Sequence, residues 1–98
     1  MKRLKRIVSV KEILLVKAEE HFVLVQSGDD QELVAYRFGD ALQDLKYEDG
    51  YQVHRSFWVR RSGVVRTNDT GSTMTIDVKN GVSVPVSRPY HALVRQVF

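Results

Sequence analysis

The chain has 98 residues, which is long enough to bury one hydrophobic core and too short for two domains. Hydrophobic residues make up 43% of it and proline occurs only twice, so the composition excludes a disordered or low-complexity chain. Because the sequence contains no cysteine, disulfide bonds, thiolate zinc sites and thiol nucleophiles are excluded as well.

Charge is distributed unevenly along the sequence. Residues 1–50 carry eight Lys or Arg and ten Asp or Glu, for a net charge of −2, whereas residues 51–98 carry seven bases and two acids, for +5. A basic half with short polar donors suits an anionic polymer better than a small substrate. Nucleic acid is therefore the leading candidate partner.

Nothing in the sequence predicts export or membrane insertion. No apolar run approaches the roughly 18–20 residues that a membrane-spanning helix needs, and no apolar signal-peptide stretch follows the basic start at residues 1–6. We therefore expect a cytoplasmic protein, which would be tethered to a membrane only if this chain were cut from a longer one.

The first half is predicted to contain three strands. Two short runs rich in β-branched residues, 13–16 and 22–25, are separated by a polar group and have the length and composition of strands. The sequence S-G-D-D at residues 27–30 predicts a turn, and residues 32–36 predict the third strand.

A short helix is predicted to follow the third strand. Asp40 is its predicted N-cap residue, with Gln43 three positions later as in a capping box. The helix would then present three apolar residues on one face, which are Phe38, Leu42 and Leu45.

The second half contains the clearest local pattern, that of a β-hairpin. Residues 73–78 alternate between polar and apolar side chains, which predicts a half-buried strand. Asn80-Gly81 follows and is the favoured pair for a two-residue type I′ turn. The inward alternation then continues along a second strand through Val82, Val84 and Val86.

The chain is predicted to end in a second short helix. Ser87 is placed to cap it, and Pro89 lies in its first turn, where the missing N–H of proline costs little. Four apolar residues at helical spacing are expected to lie against the sheet: Tyr90, Leu93, Val94 and Val97.

Three separated motifs resemble the LytTR family, the DNA-binding output domains of LytR/AlgR-type bacterial response regulators. The motifs are I-L-L-V-K-A-E-E-H-F from Ile13, H-R-S-F-W-V from His54 and K-N-G-V-S-V-P-V-S-R from Lys79. The resemblance covers residues 7–98 and leaves residues 1–6 as a basic arm or a cut end. It implies a mainly β fold, an elongated antiparallel β-sheet domain with short helices, which binds duplex DNA through loops and without a recognition helix.

The resemblance also implies which residues contact DNA bases. They lie on three loops and are His21, Arg55 and Arg88. An arginine can hold guanine O6 and N7 with both arms of its guanidinium, and a histidine can donate to or accept from a base or a phosphate. The side chains expected to position the domain on phosphates are Ser56, Arg60, Arg61, Arg66, Lys79 and Ser87.

Two positions in the second motif need separate treatment. His54 either braces its loop through a backbone hydrogen bond or contacts DNA, and bracing is the favoured role. Arg60 stands where many family members have Asn, so no role is carried over from that Asn, although the change adds positive charge.

The implied function is that of a transcription regulator in a two-component system. It would bind double-stranded DNA sequence-specifically, at tandem direct repeats in promoters, with a second copy of the chain beside it on the DNA. A receiver or membrane domain would be missing from this chain. We expect no enzymatic activity, cofactor, metal or small-molecule substrate, because the sequence has no Gly-rich phosphate loop, nucleophile elbow or metal-ligand spacing.

Two functions from other classes stay open at this point. A protein-interaction module would use exposed strand edges, and its arginines would be scattered over the fold instead of converging. A single-stranded nucleic-acid binder would need aromatic side chains on an exposed sheet face for base stacking, for which the candidates are Phe22, Phe57 and Trp58.

Overall fold

The computed structural model describes residues 9–28 and 30–98, which form two antiparallel β-sheets and two short α-helices. The eight strands are β1 Ile13–Glu19, β2 Phe22–Ser27, β3 Asp30–Val34, β4 Gly50–His54, β5 Phe57–Arg60, β6 Val64–Asp69, β7 Met74–Val78 and β8 Val82–Pro85. The two α-helices are α1 Phe38–Asp44 and α2 His91–Val97. Single 3₁₀ turns lie at Val10–Glu12, Arg61–Gly63, Lys79–Gly81 and Arg88–Tyr90. The mainly β fold that the sequence predicts is confirmed.

The larger sheet has the strand order β3-β2-β1-β5-β4, and the smaller one has the order β6-β7-β8. The first two predicted strands are confirmed and extend further than expected, to Glu19 and Ser27. The third strand begins and ends two residues earlier than predicted, because the chain leaves the sheet after Val34 to enter α1. Of the predicted turn at residues 27–30, Asp29 lies outside the described residues.

The larger sheet is the central layer of the domain, and apolar residues cover both of its faces. On one face Ala41 of α1 and Leu45, which directly follows α1, join a cluster that includes Ile13, Val23 and Trp58. On the other face the smaller sheet and α2 form a second cluster, whose members include Leu15, Val53, Val59, Ile76, Val84 and Val94. Burying each such aliphatic side chain contributes about 1.5–3 kcal/mol, so the strands are fixed in register from both sides.

The predicted β-hairpin is present as β7 and β8. Met74, Ile76 and Val78 are buried, and Asn80 and Gly81 have the positive φ angles, 75° and 78°, that a type I′ turn requires. The length of the turn was predicted wrongly, since Val78 pairs with Val82 and three residues lie between the strands. In this longer turn the Asn80 side-chain amide donates to the carbonyl of Gly28, which ties the hairpin to the β2–β3 turn.

Both predicted helix caps are wrong in detail. α1 begins at Phe38 with Arg37 at its N-cap, and Asp40 lies in the first turn instead. The start is set by Phe38, which packs against the first core cluster, and Asp40 still favours the helix through the dipole. Ser87 stands at the N-cap of the 3₁₀ turn that leads into α2, but its side chain makes no capping hydrogen bond.

The C-terminal helix packs against the smaller sheet as predicted. Val94 is buried, whereas Tyr90, Leu93 and Val97 are partly buried. His91, which the sequence pattern did not single out, is only 8% exposed. Among residues 9–28 and 30–98 no helix is long and apolar enough to cross a membrane.

Candidate nucleic-acid interface

Three loops lie at the same end of the larger sheet. The amide of Ala18, near the end of β1, donates to the carbonyl of Ser56 in the β4–β5 turn at 2.8 Å. The amide of Ser87, after β8, donates to the carbonyl of Val53 in β4 at 3.1 Å. These bonds bring the loops that carry His21, Arg55 and Arg88 to one end of the domain. We call this end, formed by residues 20–21, 35–37, 54–56 and 86–88, the loop end.

The strand order places the three loops in a row. The β1–β2 turn comes first, the β4–β5 turn lies two strands further along, and the end of β8 follows beside β4. With neighbouring strands about 4.8 Å apart, the first two turns are separated by about 10 Å. Such a row of loop tips is a shape that can follow the groove of a nucleic acid duplex.

The β1–β2 turn holds His21 in an exposed position. Glu19 pairs with Phe22, so Glu20 and His21 form a two-residue loop. Glu20 has a φ of 52° and His21 has no positive φ, which is the pattern of a type II′ turn. Glycine is favoured at the first of these positions, so Glu20 holds the turn at a cost of about 1 kcal/mol.

The β4–β5 turn holds Arg55 between two internally bonded neighbours. His54 Nδ1 accepts a hydrogen bond from the Ser56 amide at 3.1 Å, and its ring contacts the edge of Phe57 at a centroid distance of 5.5 Å. This bond is the kind expected if His54 braces its loop, and Nδ1 can accept it only when that nitrogen carries no proton. Arg55 is exposed, and its side chain forms no hydrogen bond or ion pair with any residue in the described ranges.

The segment carrying Arg88 is fixed by hydrogen bonds on both sides. The Val86 amide donates to Met74 at 3.0 Å, and His91 Nε2 lies 3.1 Å from the Val86 carbonyl oxygen. His91 therefore ties the start of α2 to the residue two positions before Arg88. Arg88 is exposed and, within the described part of the chain, has no side-chain partner. In the sequence, the one indication that His91 supports this segment is its position four residues, or one helical turn, after Ser87.

Two of the six predicted phosphate contacts lie at the loop end. Ser56 and Ser87 are adjacent to Arg55 and Arg88, and both are partly exposed. The other four lie towards the opposite end, where β1 begins and the β7–β8 turn meets Gly28. They are Arg60, Arg61, Arg66 and Lys79. The structure thus separates the predicted phosphate set into two groups.

Arg60 is integrated into the fold. Its Nε donates to the Ile13 carbonyl at 2.6 Å, and its Nη2 donates to the Val10 carbonyl and to Glu48 Oε1, both at 2.9 Å. Its guanidinium also lies 5.6 Å from the ring centre of Trp58. The hydrogen bond from Arg60, assisted by Lys11, holds the pKa of Glu48 below its ordinary value against the opposing effect of burial. These contacts fit a structural role.

Arg61 and Arg66 are paired with carboxylates at the surface. Arg61 Nε lies 3.2 Å from Asp49 Oδ2, and Arg66 Nε lies 3.2 Å from Asp77 Oδ2. Exposed pairs of this kind are weak, so neither arginine is prevented from meeting a phosphate. Lys79 is exposed in the β7–β8 turn. Phosphate contact by these residues stays a prediction.

The aromatic residues do not form a stacking platform. Trp58 is 3% exposed and Phe57 is partly buried, so of the three candidates only Phe22, at 42%, presents much of its surface. A single-strand binder uses several aromatic faces in succession. The three candidates therefore do not provide the stacking surface that the single-strand alternative requires.

Comparison with known proteins identifies the family. A model of the LytTr DNA-binding domain matches residues 5–98. The chain belongs to the LytTR family. A solved structure, the LytTr DNA-binding domain assigned to a methyl-accepting/DNA response regulator from Bacillus cereus, is similar to it with a TM-score of 0.73 and 25% identity. That match covers 92% of this chain and 84% of the solved one. No curated protein matches the sequence.

The family assignment gives the LytTR chain a general function. LytTR domains are DNA-binding domains of response regulators and are not a catalytic family. Within residues 9–28 and 30–98, no three His, Cys, Asp or Glu side chains are grouped so that they could hold a metal ion.

Proposed function

We propose that this LytTR domain binds double-stranded DNA sequence-specifically through the loop end and thereby regulates transcription. The observation that carries the proposal is the convergence of three loops whose tips present His21, Arg55 and Arg88. Their backbones are fixed by hydrogen bonds, while both arginine side chains lack partners among the described residues. A guanidinium that is already desolvated and paired would have to break those bonds to read DNA, whereas these two need not.

The roles within the interface follow from side-chain chemistry. Arg55 and Arg88 each offer a two-armed donor to guanine O6 and N7, and each such contact gives about 1–3 kcal/mol of discrimination against the wrong base. His21 donates to or accepts from a base edge or a phosphate. Ser56 and Ser87 donate to neighbouring phosphates and fix the register of the domain on the duplex. His54 supports Arg55 from within the turn.

The proposed biological unit is larger than this chain. Residues 7–98 would form the DNA-binding domain, and residues 1–6 lie outside the described residues. A receiver or membrane domain would supply the input signal in a two-component system. Two copies would bind tandem direct repeats, meeting only on DNA, and the domain would have no enzymatic activity. Half-turn insertions between repeats, which rotate one copy to the opposite face, would abolish joint binding.

Selection on a randomised duplex pool tests this proposal. The chain is expected to enrich one family of sequences, and its affinity for the selected duplex should fall steeply with salt. Neutralising about 5–8 phosphates gives a slope of log affinity against log salt of about −4.5 to −7. The matched controls are each single strand of the same duplex and a scrambled duplex. Equal affinity for the single strands, or binding indifferent to salt, would refute duplex reading.

A further inference from the structure

A fourth segment reaches the loop end, at the junction of β3 and α1. β3 runs antiparallel to β2 with Val34 opposite Val23, so the end of β3 lies beside the β1–β2 turn. The two segments line one shallow surface depression, formed by Glu20, His21, Ala35, Tyr36, Arg37 and Phe38. Arg37 is thus a cation on the same surface as His21.

The backbone of Arg37 is held firmly although its side chain is exposed. Tyr36 and Phe38 on either side pack against the first core cluster, and the Tyr36 hydroxyl donates to the Asp44 carboxylate. The Arg37 carbonyl accepts the Ala41 amide at 2.9 Å. With both neighbours directed inward, the guanidinium of Arg37 is presented outward from a fixed point.

The arginines of the described residues fall into two groups. Four are bonded to a carboxylate, namely Arg60, Arg61, Arg66 and Arg95. Three have no side-chain hydrogen bond or ion pair with another described residue, namely Arg37, Arg55 and Arg88. All three members of the second group lie at the loop end. Arg37 therefore shares the property that distinguishes the two proposed base-reading arginines.

Acidic residues near Arg37 do not neutralise it. Glu20 lines the same depression and Asp40 lies three positions along the chain, and both are exposed without a bond to Arg37. An ion pair formed transiently at such a surface contributes little, so a phosphate would displace it readily. The charge of Arg37 is available to a polyanion.

We propose that Arg37 is a DNA-backbone contact at the outer flank of the interface, beyond His21. The inference rests on the proposed function and extends it, because it adds the β3–α1 junction to the three loops. β3 is the edge strand, so the row runs from Arg88 through Arg55 and His21 to Arg37. His21 lies at a hairpin tip, which can enter a groove, whereas Arg37 lies at the edge-strand junction, at the outer end of the row. A guanidinium in that position meets the flanking phosphates.

Three variants measured on the selected duplex test the assignment. Arg37→Ala should lower the salt slope by about one unit and weaken binding about fivefold at ~0.15 M salt, equally for selected and scrambled duplexes. Arg37→Lys, which keeps the charge, should retain most of the slope. The control is Lys46→Ala, which removes an equally exposed charge beside Tyr47 at the opposite end and should leave the slope unchanged.

A phosphate scan locates the contact. Methylphosphonate, which removes the charge of one phosphate, is placed at each backbone position of the selected duplex in turn. His21→Ala should flatten the preference at one base pair, which locates His21 on the duplex. At one phosphate outside that base pair, the methylphosphonate should weaken binding by the wild-type chain but not by the Arg37→Ala variant. If the wild-type chain binds the duplex, and Arg37→Ala shows the same salt slope and the same response to each methylphosphonate, the Arg37 assignment is wrong while the proposed function stands. If wild type binds no duplex, both fail.

Discussion

The two ends of the larger sheet use arginine in opposite ways. At the end where β1 begins, Arg60 is bonded to Glu48 and to two backbone carbonyls, and its side chain is only 12% exposed. At the loop end, five residues earlier in the chain, Arg55 is exposed and has no partner among the described residues. The difference lies in what surrounds each residue. Glu48 and Asp49 bind the arginines of the first end, whereas no carboxylate of the described residues is bonded to an arginine of the loop end.

This contrast shows why charge counting does not locate a DNA-binding surface. Residues 51–98 contain seven basic residues, but four of them, Arg60, Arg61, Arg66 and Arg95, are paired with carboxylates within the fold. Arg95 on α2 is likewise held by Asp69 at 2.7 Å. The availability of a guanidinium depends on its partners, which only the fold reveals.

The largest effect is expected at the partnered end. Arg60→Ala should lower the free energy of unfolding by about 3 kcal/mol, because it removes the donor to two backbone carbonyls and leaves the largely buried Glu48 with only the exposed Lys11 as a partner. Urea unfolding followed by circular dichroism measures the change. The matched control, Arg55→Ala, should alter stability by less than about 0.5 kcal/mol. Equal stability losses in the two variants would contradict the contrast between the ends.

For DNA binding, in contrast to stability, the larger effects are expected from the arginines of the loop end. Arg88→Ala and Arg55→Ala should each weaken binding to the selected duplex by about 1–3 kcal/mol and flatten the preference at one base position. Titration against a set of single-base variants of the duplex measures both effects. A uniform loss across all sequences, without a flattened position, would mean that these arginines contact phosphates and not bases.

A smaller effect on DNA binding is expected from His91, which supports the segment that carries Arg88. His91→Ala removes the bond to Val86 and should weaken DNA binding by about 1 kcal/mol through misplacement of Arg88. In an Arg88→Ala background the same substitution should have little further effect on affinity, which a double-mutant cycle measures. Additive losses would show that His91 acts on DNA binding by a route other than Arg88.

Relief of turn strain should give a gain in stability. Glu20→Gly should raise the free energy of unfolding by up to about 1 kcal/mol, since glycine adopts a positive φ without steric cost. Glu20→Ala is the control, because it removes the carboxylate but keeps the Cβ atom and therefore the strain. If alanine stabilises the domain as much as glycine does, charge and not backbone conformation is responsible.

The Asp69–Arg95 pair should make stability depend on pH. The Arg95 hydrogen bond, with help from the Gly71 amide, lowers the pKa of Asp69 from 3.8 to about 2. A carboxyl whose pKa is lower in the folded state stabilises the fold fully above its ordinary pKa, and this contribution disappears as pH falls towards 2. Asp69→Asn should therefore flatten the decline in melting temperature across this window. In an Arg95→Ala background Asp69→Asn should have a much smaller effect.

Local periodicity was sufficient to predict five of the eight strands, namely β1, β2, β3, β7 and β8. Alternation at residues 73–78 and the β-branched runs at 13–16 and 22–25 fixed which faces are buried, because a one-residue slip would expose every apolar side chain. The cap at Asp40 was predicted wrongly because the start of a helix depends on which residue packs against the core, whereas Ser87 stands at the predicted position without a side-chain capping bond. Local sequence does not encode that choice.

The site was predicted unevenly for the same reason. The motifs brought His21, Arg55 and Arg88 into consideration through family resemblance, and the fold places their loops at one end. The partners of Arg60 are 12, 47 and 50 residues away along the chain, so no local pattern indicates that it is structural. Arg37 lies outside the three motifs, in the acidic half, and only the strand order brings it beside His21.

The most direct test of the account is the map of amide chemical-shift changes when the selected duplex is added to the isotope-labelled chain. We predict that the largest changes fall at the loop end, in residues 20–21, 37, 55–56 and 87–88, while residues 48–49 and 60–61 change little. Changes centred on residues 48–49 and 60–61, with the loop end unaffected, would show that DNA binds the opposite end of the sheet and would contradict the account.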